Sequence, residues 1–267
     1  MQDSLVVTFN DNAVPARPSH LIDEFPGFEL EQKFSVTPTP STLKPFFSLR
    51  DALLAVGDFV DVRSTEHLKW VFYFDYYAIS KNGALQQVFN VIHHPSTPRF
   101  WIREKNLSGA FEGSSLHPIS SVLKRAETRV QIDEFWSDRE ISKFKRQKEE
   151  ALGQPVFMLP RLTRHKHYTY VKVVRSSRTY SISIDLCHAR GAALSQVETE
   201  YKWLEGQHIT AAHDMGSLLA DFDALARKML DSPLDGFRIA PTTLSKFDWL
   251  ASLDLGERPR EYACDKI

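Results

Sequence analysis

The sequence predicts an α+β fold in which strands with an apolar outer face and a charged inner face close into a barrel wrapped by helices. Three observations lead there. "FELEQKF" (residues 28–34) sets Glu29, Glu31 and Lys33 at every second position. Successive side chains of a strand point to opposite faces, so these three share one face while Phe28, Leu30 and Phe34 share the other. "VETEYKW" (197–203) repeats the spacing with Glu198, Glu200 and Lys202, and places Val197, Tyr201 and Trp203 on the reverse face. Basic residues alternate in the same way: Arg164 and Lys166 in "RLTRHKHYTYV", Arg103 and Lys105 in "WIREK". Alone, the first stretch would equally suit a helix turn with a Glu29–Lys33 surface pair worth roughly 0.2–0.5 kcal/mol. Its echo 169 residues later favours the strand.

The elements follow in order. Residues 1–26, rich in Pro, Asn, Asp and Ser, predict an extended lead-in, with "SLVVTF" a candidate edge strand. The opening strand gives way to a Pro-punctuated loop, "SVTPTPSTLKP", and then to a helix in "FFSLRDALLAVG", where Leu49, Leu53 and Leu54 have helical spacing. "LKWVFYFDYYAI", "NGALQQVFNVIHH" and "RFWIREK" are strands by their aromatic and β-branched content. "SSVLKRAETRVQID" suits either a strand or a helix. "SDREISKFKRQKEEALG" predicts a helix opened by a capping box, Ser137 with Glu140, and stopped at Gly153. Strands resume through "PVFMLPRLTRHKHYTYVKVVRSSRTYSISIDLC", turning at Ser176 and Ser177, and through "SQVETEYKWLEG". Two helices end the chain: "MGSLLADFDALARKMLDSP", with Leu218, Phe222, Leu225 and Met229 on one stripe, and "TTLSKFDWLASL". One domain is expected over residues 27–255, with an N-terminal extension over 1–26 and a tail over 256–267.

The bulk properties exclude several classes of function. A chain of 267 residues, 42% hydrophobic and 25% charged, can bury a sizeable core without disulfide or metal staples. A formal net charge of −1 argues against a protein that coats nucleic acid or anionic membrane. Cys187 and Cys264 lie far apart with no CxxC spacing, which suits a reducing, cytoplasmic setting. The N-terminus lacks a signal-peptide pattern, and no segment approaches the ~20 apolar residues of a membrane span. Walker and Rossmann glycine patterns are missing, and "GSSLH" lacks the second glycine of a nucleophile elbow.

Carboxylates repeated on one face repel each other, and a hard cation resolves the repulsion, because Mg²⁺ or Mn²⁺ prefers carboxylate oxygens and keeps water and phosphate as its other ligands. Arg125 beside Glu127 and Arg129 in "LKRAETR" adds basic groups, and in "YSISIDL" Ser181, Ser183 and Asp185 lie opposite Tyr180, Ile182, Ile184 and Leu186. Acidic groups for metal and basic groups for anions in one interior suggest a polyanion held through cations.

In order along the chain, these segments resemble the CYTH superfamily of triphosphate tunnel metalloenzymes. Glu29, Glu31 and Lys33 match its Glu-x-Glu-x-Lys signature, "FYFDYY" with Asp75 its Tyr-Tyr-Asp-Thr segment, and "WIREK" its Leu-Arg-Ile-Arg strand. "KRAETR" is similar to its Arg-x-Glu strand, "RLTRHKHY" to its basic strand, "ISIDL" and "VETEYK" to its closing acidic strands, and "LSKFDWL" to its Ser-Lys-Tyr helix. The resemblance spans residues 28 to about 252. It implies an eight-stranded antiparallel tunnel with helices outside. Glu29, Glu31, Glu198, Glu200 and Asp185 become metal ligands for Mg²⁺ or Mn²⁺; Lys33, Arg103, Arg125, Arg164 and Lys166 become phosphate contacts. Lys202 joins them from alternation rather than from the family pattern. Departures are visible: Trp101 stands where the family strand has its first arginine, Tyr76 stands for the threonine, and "QQVFNVIHHPSTP" is an insertion. Such an interior has room for an organic, even apolar, phosphate.

The expected function is therefore metal-dependent hydrolysis of a phosphoanhydride on a small-molecule phosphate substrate, with Glu127 or Glu200 orienting the attacking water. A lyase or cyclase releasing diphosphate, for instance from an allylic diphosphate, is the alternative, with aromatics shielding a carbocation. A non-catalytic polyphosphate binder is the third. His165 and His167 are expected on the outer surface, opposite Arg164 and Lys166. His93 and His94 are expected beside a loop, and the run from Trp70 to Tyr77 as barrel wall.

Overall fold

The computed structural model describes residues 21–22, 28–41, 44–55, 57–62, 68–93, 100–110, 122–132, 138–205, 215–232, 234 and 236–255. Their elements run β1 (Leu21–Ile22), β2 (Phe28–Thr37), α1 (Lys44–Leu54), β3 (Phe59–Asp61), β4 (Leu68–Lys81), β5 (Ala84–His93), β6 (Phe100–Ala110), β7 (Leu123–Ile132), α2 (Asp138–Leu152), β8 (Phe157–Met158), β9 (Leu162–Val173), β10 (Arg178–Ala189), β11 (Ala192–Glu205), α3 (Met215–Leu230), β12 (Arg238–Pro241) and α4 (Lys246–Leu255).

The strands form one antiparallel sheet in the order β1-β11-β10-β9-β4-β5-β6-β7-β2-β12, and β11 pairs in addition with β2. Because β2 meets β7 through Phe28–Glu31 and β11 through Glu31–Ser35, the pairings join eight strands end to end in a ring. Two of its hairpins turn on pairs with positive φ, Asn82-Gly83 (52° and 74°) and Arg190-Gly191 (47° and 77°). These are the left-handed pairs that a two-residue turn needs to match strand twist. The turn expected at Ser176 and Ser177 is also found, with Ser177 at φ 58°.

Alternation places apolar residues on the outside of the ring under two helical covers. Leu30, Phe34, Val171, Val173, Tyr180, Ile182, Ile184 and Val197 pack with Phe46, Leu49 and Leu53 of α1 and with α3. The stripe expected on α3, Leu218, Phe222, Leu225 and Met229, is wholly buried. Each such side chain contributes about 1.5–3 kcal/mol relative to exposure. On the other side Tyr77, Ile79, Phe89, Val91 and Ile102 pack with Ile141 and Phe144 of α2.

The helix α4 departs from the expected arrangement of helices outside. Leu244, Phe247, Trp249 and Leu250 pack with Phe74, Tyr76, Leu162, Cys187 and Ala189. These strand residues belong to the alternation opposite to that of the outer cores, so α4 lies against the inward face. Its burial fits this: Phe247, Trp249, Leu250, Ala251 and Ser252 are all buried, and so is Lys246 at its start.

Other differences have similar causes. The loop expected from Ser35 begins only after Thr37, because β12, from the far end of the chain, pairs with Phe34–Thr37. "LKRAETRVQI" is a strand, held between β6 and β2. Within the expected extension, Leu21 and Ile22 pair with Glu205 and Leu204. His167 has the predicted facing but is buried, at 4% exposure, rather than on the surface. The edge strand expected in "SLVVTF" and the cap Ser137 lie outside the described residues. No helix among the described residues is long and apolar enough to cross a membrane.

Candidate active site

The seam between β2 and β11 sets Lys33 opposite Glu198 and Glu31 opposite Glu200. Across β10, Glu198 lies opposite Ser183, and Asp185 lies opposite Lys166 of β9. Four neighbouring strands thus aim charged side chains at one interior point. The register is what unites residues separated by most of the chain.

Lys33 Nζ lies 2.5 Å from Glu198 Oε1 and 3.3 Å from Glu31 Oε1. Lys246, the first residue of α4, places Nζ 2.5 Å from the same Glu198 oxygen and 2.7 Å from Asp185 Oδ2. Arg164 Nη2 donates to Asp185 Oδ2 at 2.6 Å and to Glu198 Oε2 at 3.2 Å. All six side chains are buried, Asp185 completely. Glu31, Asp185 and Glu198 are matched by Lys33, Arg164 and Lys246, and that balance is what allows charge to be buried. Burial opposes ionisation of Glu198, but Lys246, Lys33 and Arg164 outweigh it and hold the carboxyl well below its usual range. Burial likewise works against the charges of Lys246 and Arg164, and the attraction of Asp185 and Glu198 raises both pKa values nonetheless.

Lys166 has a different environment. It shares the inward alternation of β9 with Arg164, and its ammonium stands 5.8 Å from the Tyr168 ring centroid. Among the described residues no carboxylate pairs with it. Burial and the neighbouring Arg164 charge push its pKa down. Three buried polar atoms nearby lack a hydrogen-bond partner: Asp185 Oδ1, Ser183 Oγ and Arg164 Nε. The interior therefore holds uncommitted donors beside a neutralised ionic cluster.

The remaining predicted residues are distributed around this core. Glu200 is held by an ion pair with Lys202. Arg103 Nε donates to Asn90 Oδ1 at 3.3 Å, and the guanidinium groups of Arg103 and Arg164 each lie 5.7 Å from the Phe74 ring centroid. Glu29 is opposite Arg125 on β7, and Glu127 is opposite Lys105. The side chains of Arg125 and Glu127 lie outside the described residues. The structure brings together Glu31, Lys33, Arg164, Asp185 and Glu198, with Lys166 directly across from Asp185 on β9. Lys246 is a site residue that the sequence does not single out, although its segment, "LSKFDWL", resembles a family helix.

One placement corrects the alternation argument. The β10–β11 register jumps from Tyr180↔Tyr201 to Thr179↔Trp203, so Lys202 is the extra residue of a β-bulge. Trp203 is thereby moved off the outer face expected for it and pairs with Thr179, in the alternation of Ser181 and Ser183. Asp75, whose facing the sequence left open, points outward, where Arg161 donates to both of its oxygens at 2.7 Å and His93 Nε2 lies 2.8 Å from Oδ2.

The acidic side chains are the hard oxygen donors that Mg²⁺ or Mn²⁺ takes. As placed, they do not form a cradle for one. Among the described residues no group of three His, Cys, Asp or Glu side chains is positioned to hold an ion, and a lysine ammonium bridges Glu31 to Glu198 and another bridges Glu198 to Asp185.

Fold and site define an antiparallel ring of strands enclosing a buried, charge-balanced cluster. No protein-family profile matches the sequence, and neither does any curated protein. Among solved structures, 74% of the chain is similar to 92% of a Bacillus halodurans protein described as a "putative adenylate cyclase", at 11% identity and a TM-score of 0.35. A second likeness is to the S. pombe Pct1 RNA triphosphatase, covering 78% of this chain and 79% of that one at 10% identity and a TM-score of 0.29. Likenesses of this strength leave the description of the fold to the strand pairings themselves.

Proposed function

We propose that this protein is an enzyme that binds a polyphosphate-bearing small molecule inside the ring of strands and cleaves its phosphoanhydride. The observation that carries the reading is Lys166, an inward lysine with no carboxylate partner among the described residues, adjacent to an Arg164 whose Nε is also uncommitted. An ammonium and a guanidinium edge side by side match the oxygens of a phosphate chain, one as a point charge and one as a fork.

In this reading Lys166 and Arg164 grip the phosphates, joined by Lys33, Arg103, Arg125 and Lys202. Catalysis is then chiefly positioning and charge neutralisation at the transferring phosphoryl group. The acidic cluster fixes where Lys33, Arg164 and Lys246 stand and competes with the phosphates for their charge. The attacking water is assigned to Glu127 or Glu200. Metal dependence belongs to the proposal: Mg²⁺ or Mn²⁺ would take Glu29, Glu31, Asp185, Glu198 and Glu200 as oxygen donors only once Lys33, Lys246 and Lys202 give up those carboxylates, and its chemistry would be to neutralise phosphate charge.

A second reading, a cyclase or lyase releasing diphosphate, is favoured by the Phe74 ring, which lies near both Arg103 and Arg164. An aromatic face beside anion-binding groups suits a cation developing next to a leaving diphosphate.

The test is a panel of tripolyphosphate, ATP, thiamine triphosphate and allylic diphosphates, with Mg²⁺, Mn²⁺ or EDTA, read for phosphate, diphosphate and organic products. Phosphate release that stops in EDTA supports the hydrolase. Diphosphate with a new organic product moves the assignment to the cyclase, and affinity without turnover leaves a binder. Full activity of Glu29→Gln and Glu198→Gln at limiting metal would sink the assignment.

A further inference from the structure

We infer that Tyr168, Tyr170 and Trp203 form a subsite inside the ring that takes a planar organic group carried by the phosphate substrate. The inference rests on the phosphate site proposed above and narrows its substrate from bare polyphosphate to a ring-bearing organic phosphate.

The placement follows from backbone register. Tyr168 and Tyr170 continue the inward alternation of Arg164 and Lys166 along β9 and lie opposite Ser183 and Ser181 of β10. The β-bulge in β11 brings Trp203 into the same series, opposite Thr179. The three rings touch in sequence: Tyr168 and Tyr170 meet edge to face with centroids 5.4 Å apart, and Tyr170 lies 5.3 Å from Trp203 at a 34° tilt. All three are half-buried, unlike the outward-facing Tyr180, which is completely enclosed.

The chemistry of the cluster is that of a binding surface rather than of a core. Trp203 Nε1 is buried and has no hydrogen-bond partner; tryptophan N–H groups ordinarily find one when enclosed. It is a donor awaiting an acceptor. The apolar plug of α4 packs at the opposite end, around Phe74, Cys187 and Ala189, so the described interior grades from a closed apolar end through the ionic cluster to aromatic rings. Lys166 sits between the last two. A strand advances about 3.3 Å per residue, so Tyr168 and Tyr170 stand roughly 7 and 13 Å beyond Lys166 along β9. A phosphate chain held at Lys166 and Arg164 would thus project its organic substituent onto these rings. A planar group with an edge acceptor satisfies both the ring faces and the Trp203 N–H. A flexible isoprenoid chain satisfies only the first.

The experiment is isothermal titration of the full chain with ATP, inorganic tripolyphosphate and geranyl diphosphate, for wild type, Trp203→Leu, Trp203→Phe and Tyr170→Leu. Stacking on one aromatic is worth enough that Trp203→Leu should weaken ATP about 5- to 150-fold while tripolyphosphate stays within about twofold. Trp203→Phe, which keeps a ring but loses the donor, should fall between. Equal losses for ATP and tripolyphosphate, or unchanged ATP binding in both leucine variants, would overturn the subsite and leave the phosphate site standing. Tighter binding of geranyl diphosphate than ATP by wild type would also overturn it. Binding of none of the three would remove the phosphate site itself and the subsite with it. If thermal melts show Trp203→Leu unfolded, Trp203→Phe and Tyr170→Leu decide the question.

Discussion

Lys246, at the start of the final helix, sets its ammonium 2.7 Å from Asp185, a carboxylate with no exposed surface in the middle of β10. The contact ties a helix inside the ring to its wall. Replacing Lys246 with Met should cost about 3 kcal/mol, because it leaves the buried carboxylates Glu31, Asp185 and Glu198 with only Lys33 and Arg164 to balance them. Chemical denaturation measures this, and adding Asp185→Asn should recover part of the loss if the two residues are coupled. Additive losses would contradict the pairing.

Glu198 accepts from Lys33, Lys246 and Arg164 at once. In Glu198→Gln those cations lose their shared anion. Turnover should vanish, while tripolyphosphate affinity in EDTA should rise on the order of 100-fold, roughly 1 kcal/mol for each of the three released charge-assisted contacts. Calorimetry with the metal-free protein checks it, and weaker binding would show that Glu198 serves the anion only indirectly.

Asp75 predicts a pH dependence away from the site. Burial tends to raise its pKa, but hydrogen bonds from His93 and Arg161 overcome this and bring it from 3.8 to about 2. A carboxyl with a lowered folded pKa contributes stability that is complete above its unfolded value and lost as pH falls through the folded one. The window is therefore about pH 4 to 2. Arg161 is 55% exposed, so solvent screening reduces the contribution to about 1–2 kcal/mol. The gap in unfolding free energy between wild type and Asp75→Asn should be full at pH 6 and shrink across that window.

Asp221 anchors α3 to the outside of the ring. Fully buried, it accepts from Tyr180 Oη and Arg175 Nε, both at 3.1 Å, and lies 3.5 Å from Arg178 Nη1. Asp221→Ala should destabilise the fold by about 3 kcal/mol or more, and Tyr180→Phe by about 1 kcal/mol. Thermal unfolding of both variants tests the ranking; the reverse order would place the anchor elsewhere.

Much of the ring was legible because its strands alternate cleanly. Glu29, Glu31 and Lys33, echoed by Glu198 and Glu200, announced an inward charged face, and Arg164 with Asp185 extended it. What stayed hidden depended on partners remote in sequence. "LKRAETR" has no decisive period of its own and became a strand through β6 and β2. Trp203 was assigned to the wrong face because a bulge, which inserts one residue, inverts everything after it. Lys246 escaped because a residue at a helix start carries no alternation that would assign it a face.

The seam between β2 and β11 also governs when the protein can fold. Its central ion pair joins residues 165 positions apart, and loop closure of that span must precede any reward from the contact. During synthesis β2 waits with Glu31 and Lys33 in water until β11 emerges, and the cluster is balanced only when Lys246 follows. Folding should be slow and governed by late, long-range closure, so the charged interior forms as one of the last acts of the chain.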